Sequence, residues 1–197
     1  MKTKSGLQSK YMPFQFNQKK ATQAIAHLLR KSPKGYEDFI KIISLLYIAD
    51  RESLKETSRP ITGDIFVATK KGPALKQLLN LVSNKSTDSQ MWDRFISRQE
   101  QNICLMQYPG KGELCRYDEE KLENIWARYE NYDRKKMIEL TCTFPEWEKN
   151  KPKYSSKKIP LKDILDALDM PEQYEDILQD ANEILELESF FGHSQLP

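Results

Sequence analysis

Leu45-Leu46-Tyr47-Ile48-Ala49-Asp50-Arg51, followed by Arg59-Pro60-Ile61-Thr62-Gly63-Asp64 and Lys71-Gly72-Pro73, decides how this chain folds. The first run is too apolar to offer a solvated face, so it belongs to a helix in the middle of a core. Its Asp-Arg pair marks where that helix turns polar. With Phe39, Ile40, Ile42 and Ile43 upstream, the pattern predicts a helix from about Tyr36 to Glu56. Arg59-Pro60 ends it, because the residue before proline avoids α backbone angles. Ile61 to Thr69 is rich in β-branched and aromatic residues and is broken by Gly63-Asp64. That reads as an extended segment with a turn or bulge at Gly63. Lys71-Gly72-Pro73 reads as the start of a new helix, with Pro73 in its first turn and Leu75, Leu78, Leu79 and Val82 facing inward.

Working outward, Asn17 is a helix N-cap, and Ala21, Ala24, Ile25, Leu28 and Leu29 form the stripe of a helix with one buried face. Ser32-Pro33-Lys34-Gly35 stops it. On the other side, Met91, Trp92, Phe95 and Ile96 stripe a short helix. Pro109-Gly110-Lys111-Gly112, between two apolar runs, signals a hairpin over about 103–117. Asp118 is positioned to cap a helix carrying Leu122, Ile125 and Trp126, and another helix covers Asp133 to Cys142. Pro160–Leu168 and Pro171–Phe190 close the chain as helices. The expected fold class is mainly α (α+β): a compact helical domain with a small antiparallel sheet or hairpin, plus C-terminal helices. The expected organisation is a flexible basic arm over 1–13, a domain over 14–150, a linker over 151–159 and an acidic helical extension over 160–192.

A chain of 197 residues, 39% hydrophobic and 30% charged, can build its own core without a metal or disulfide staple. No apolar run approaches the roughly 20 residues that a membrane-crossing helix requires. The N-terminal residues lack the apolar stretch of a secretory signal. Cys104, Cys115 and Cys142 are odd in number and lack metal-type spacing. Unpaired thiols without a signal predict a cytoplasmic protein. The net charge of +2 hides a polarity: no acidic residue precedes Glu37, and no lysine or arginine follows Lys162. The two ends attract each other, or solvate separate faces, or one of them docks a partner of opposite charge.

Chemistry is hard to place. His27 and His193 fall in different elements, so neither a zinc site nor a Cys–His nucleophile is expected. No glycine-rich phosphate loop is present. The expectation is no enzyme, no cofactor and no metal. Lys2, Lys4, Lys10, Lys19 and Lys20 with Tyr11, Phe14 and Phe16 suit contacts to phosphates and bases. The arm has no arginine to read base edges, which argues against nucleic acid.

Four blocks are similar to the Panacea domain, a family of antitoxins and phage-associated proteins, over about residues 15 to 150. These are Lys41 to Arg51 with its Ala-Asp-Arg ending, Arg59 to Asp64, Phe66-Val67-Ala68 with Lys71-Gly72-Pro73, and Glu139 to Trp147. In the fourth, Cys142 stands where the family pattern has histidine. The resemblance implies an antitoxin of a bacterial or phage toxin–antitoxin system, a component of phage defence among them. Such a protein neutralises a cognate protein toxin by direct binding, and one form delivers the toxin to a protease as an adaptor. Asp50, Arg51, Arg59, Thr62, Gly63, Asp64 and Lys71 are the candidate partner-binding residues. The alternative is that this charge network only pins the following segment to the helix. A basic nucleic-acid-binding regulator without enzymatic activity is the rival function, and the oligomeric state stays open.

Overall fold

A computed structural model describes residues 10–87 and 89–192. The arm expected over 1–13 lies outside the described residues as far as position 9. The first described residues already pack: Met12 is buried, and the Lys10 carbonyl accepts the Leu161 N–H at 2.9 Å.

Helix α1 (Gln18–Lys31) is capped by the Asn17 side chain, which accepts the Lys20 N–H at 2.8 Å. Its apolar stripe is fully buried. The central helix, α2 (Phe39–Thr57), begins three residues later than expected, because Tyr36–Asp38 forms strand β1. Asp38 supplies the cap, accepting the Ile40 N–H at 2.8 Å, so the chain is extended up to that aspartate. Ile42, Leu45, Leu46, Tyr47 and Ala49 have no exposed surface. A helix enclosed on every side needs no amphipathic pattern, which is why this run reads as continuously apolar. Ser58, left-handed at φ 59°, ends it.

The hairpin that follows corrects the sequence reading. Gly72–Leu75 is not a helix start but strand β3, antiparallel to β2 (Phe66–Thr69), and helix α3 (Lys76–Val82) begins only afterwards. Pro73 faces Ala68 on a strand at the sheet edge, where its missing N–H removes no ladder bond. The Thr69 hydroxyl closes the turn, donating to the Gly72 carbonyl at 2.7 Å and accepting the Lys71 N–H at 3.1 Å.

The second hairpin also lies elsewhere than expected. After α4 (Gln90–Phe95), β4 (Ile96–Gln99) pairs with β5 (Asn102–Leu105) through Glu100-Gln101, and β5 pairs with β1. Glu100 takes φ 53° itself, so the turn carries no glycine or proline signature. The Pro109–Gly112 stretch is a loop leading into α5 (Arg116–Tyr129). Asp118 is the third residue of that helix rather than its cap, with its carboxylate reaching back to the Cys115 N–H at 2.9 Å.

Helix α6 (Arg134–Thr141) packs on α2, and α7 (Pro145–Asn150), unmarked in the sequence reading, follows at once. Within the stretch read as a linker, β6 (Lys157–Lys158) pairs with β2 and makes a three-stranded sheet of order β3-β2-β6. Helix α8 (Leu161–Ala167), a 3-10 turn at Pro171–Gln173 and α9 (Tyr174–Gly192) complete the chain. Helix outweighs strand, with two small antiparallel sheets, as expected of a mainly α (α+β) fold. No helix among the described residues is long and apolar enough to cross a membrane.

Candidate functional site

Asp50, Arg51, Arg59, Thr62, Gly63 and Asp64 gather at the C-terminal half of α2, whereas Lys71 lies apart, and each is used differently. Asp50 is fully buried. Its carboxylate accepts the Thr62 backbone N–H at 3.0 Å and a short hydrogen bond from the Thr62 hydroxyl. That hydroxyl in turn accepts the Asp64 N–H. Asp64 caps α3 from a distance, accepting the N–H groups of Gln77 at 2.9 Å and Leu78 at 3.0 Å. The residue at the start of α3, Leu75, has no side chain able to do this. Gly63 has φ +71°, and a Cβ there would lie 2.1 Å from the Gln15 carbonyl oxygen. Glycine is required by sterics and by backbone angle together.

Burial pushes the Asp50 carboxyl up to about 7, against the lowering effect of its Thr62 hydrogen bonds. Burial also pushes Asp64 up to about 6, against the N–H groups of Gln77, Leu78 and Ile65. Asp50 and Asp64 have no exposed surface, and Thr62 and Gly63 are buried. They tie the loop to α2 and α3.

Arg51 faces the other way. Its Nε donates to Glu146 Oε1 at 2.7 Å, its Nη2 donates to the Ala167 carbonyl at 3.3 Å, and its guanidinium covers the Phe144 ring at 4.8 Å. Glu146 has no exposed surface and also accepts the Tyr47 hydroxyl at 2.8 Å. One carboxylate thus joins α2 to α7, and through Arg51 to α8. Nothing in the sequence pairs Glu146 with Arg51, which lies 95 residues before it. The Glu139–Trp147 block meets the hairpin as well. The Trp147 indole N–H donates to the Thr69 carbonyl at 2.9 Å, and a Cβ on Gly72 would lie 2.6 Å from the Thr141 hydroxyl oxygen. Cys142 sits beside that contact, half-buried, and burial raises its thiol above the usual range. It packs there as a small apolar group.

Residues 42–148, just over half of the chain, match the family model described as "Antitoxin SocA-like, Panacea domain". The chain belongs to the Panacea-domain family. The matched region of this Panacea protein runs from α2 to α7 and contains the Asp50–Thr62–Asp64 lock together with the Arg51–Glu146 pair. No curated protein and no solved structure matches the chain.

Arg59 and Lys71 are the candidates that remain exposed, and the structure does not bring them together. Arg59 follows the end of α2, with its Nη2 3.5 Å from Asp180 on α9. It borders a groove of about 210 Å³ that includes Phe14, Pro60, Ile184 and Leu185. Lys71 lies at the β2–β3 turn, beside a separate apolar groove under the first half of α2. Among the described residues, no group of three or more His, Cys, Asp and Glu side chains converges as a metal site would require.

Proposed function

We propose that this Panacea-domain protein is a cytoplasmic, non-enzymatic antitoxin that neutralises a protein toxin by direct binding. Its family membership over residues 42–148 carries the reading. The internal use of the motif's polar groups supports it: Asp50, Thr62, Asp64 and Arg51 hold elements together and do not face a common substrate space. The toxin docks at the polar end of α2, at Arg59 and its adjoining groove. The exposed carboxylates of Glu172, Glu175, Asp176 and Glu183, on the 3-10 turn and α9, steer the encounter. The rival nucleic-acid reading loses two of its cations, since Lys19 is paired with Glu113 at 2.7 Å and Lys20 with Asp118 at 2.8 Å.

The test is co-expression of the chain with each small reading frame beside its gene, scored by growth. Rescue of a toxic neighbour, with binding between the purified proteins, is the expected result. A chain that rescues and binds none of them overturns the reading. Steady toxin levels during rescue indicate plain inhibition, whereas falling levels indicate delivery to a protease.

Arg59→Glu sharpens the test. The Arg59–Asp180 pair is about half exposed on both sides, so its loss is worth at most about 1 kcal/mol of stability. The variant is expected to melt close to the parent while binding the toxin at least about tenfold more weakly. Raising salt should slow association and leave dissociation nearly unchanged, since screening acts on exposed, separated charges. Normal melting together with parental affinity would remove this surface from the proposal.

A further inference from the structure

The apolar groove under the first half of α2 encloses about 290 Å³. Phe39, Ile40, Ile43, Ala74 and Leu79 line it, and the exposed amines of Lys70 and Lys71 stand at its rim. The Arg98 guanidinium lies 4.6 Å from the centre of the Phe39 ring that forms part of the lining. The adjoining edge strand, β3, carries Pro73, which has no N–H to offer an incoming strand. Pro73 blunts this edge against strand addition, which favours an occupant that engages through side chains, as a helix laid in a groove does.

The last turns of α9 carry the matching chemistry. Glu183, Glu186, Leu187 and Phe190 fall at i, i+3, i+4 and i+7, on one face of the helix. Leu187 is 57% exposed and Phe190 72% exposed, whereas the inner face, with Ile177 and Ala181, is buried against the body of the same chain. Apolar anchors flanked by carboxylates thus complement an apolar floor flanked by amines. The chain's own α9 does not reach its own groove. Asp180 is held near Arg59, beyond the far end of α2, and α2 spans about 28 Å at 1.5 Å per residue. From Asp180 to Phe190 the helix extends only about 15 Å.

We propose that the groove beside the β2–β3 hairpin receives the last turns of α9 from a second copy of this chain. Reciprocal exchange between two copies gives a closed dimer with a two-fold axis, whereas one-way docking gives open chains. The proposal stands independently of the antitoxin reading. A strictly monomeric chain that still rescues cells from its toxin would sink only this inference.

Sedimentation velocity of the full chain, from low to high micromolar concentration, is the test. The expected result is concentration-dependent dimerisation, weakened at least about tenfold by Lys70→Glu with Lys71→Glu, and likewise by Glu183→Lys with Glu186→Lys. Circular dichroism checks that each double variant is folded. Mixing the two variants should restore association, because both groove–helix contacts of the mixed dimer then pair opposite charges. A monomer at every concentration overturns the proposal. So does a dimer that neither charge reversal weakens, or one that mixing fails to restore; the groove then belongs to another occupant.

Discussion

Glu146→Ala is expected to remove about 3–5 kcal/mol of stability, the range for breaking one side of a buried ion pair. The carboxylate has no exposed surface and serves two donors, Tyr47 Oη at 2.8 Å and Arg51 Nε at 2.7 Å. Alanine leaves a fully buried phenol without an acceptor. It also leaves a guanidinium with only the Ala167 carbonyl and the Phe144 ring for company. A domain of this size has a total stability of roughly 5–15 kcal/mol, so the variant sits near the edge of folding. Glu146→Gln keeps an acceptor and the shape, and should lose only about 1–3 kcal/mol. Urea titration checks both through the midpoint at constant slope. An alanine variant that loses less than about 1 kcal/mol would show that the pair does not hold α7 against α2.

The second large effect is a loss of stability as pH rises. A carboxyl whose pKa is higher in the folded chain than in the unfolded one favours folding while it is protonated. That advantage is complete below the unfolded value, near 4, and disappears as pH climbs through the folded value. For Asp50 the folded value is about 7, so the window runs from about pH 4 to pH 7. At about 1.4 kcal/mol per pKa unit, three units correspond to about 4 kcal/mol. Asp64, at about 6, acts in the same direction over a narrower window. Carboxylates held low by surface lysines, such as Glu113 and Glu123, act in the opposite direction, but they are solvent-exposed and screened. Asp50→Asn isolates the main contribution, since the amide can accept the Thr62 N–H and donate to its hydroxyl without charging. Thermal melts from pH 5 to pH 8 should fall more steeply for the parent than for the variant. Parallel slopes would mean that Asp50 does not titrate in this range.

What the sequence disclosed follows from how local each signal is. The Asn17 cap, the buried stripe of α1 and the all-round apolar α2 depend on neighbouring residues, and they were legible. Pro73 misled because two roles fit it: a first-turn proline and an edge-strand proline share the same flanks. Only the pairing of Ala68 with Pro73 decides between them. The β4–β5 turn was illegible because Glu100 adopts a positive φ without the glycine that usually announces one. At the site, Asp50, Thr62 and Asp64 were marked as candidate partner contacts, but their direction, inward rather than toward a partner, is a property of packing. Glu146 lay within the fourth Panacea-like block but had no role assigned, and Gln15 carried no mark. Each acquires its role from a residue distant in the chain, Arg51 in one case and Gly63 in the other.

The pairing of β6 with β2 gives the molecule a mechanical polarity. Tension applied at the C-terminal end meets α9 first, whose outer turns expose Leu187 and Phe190 and can peel away one turn at a time. The pull then reaches α8, where the Ala167 carbonyl is held by Arg51, and next β6, whose ladder to β2 must shear, together with the Ile159 N–H bond to Phe66. Resistance therefore rises abruptly between residues 157 and 168. A pull from this end thus loosens the acidic helix before it reaches the sheet.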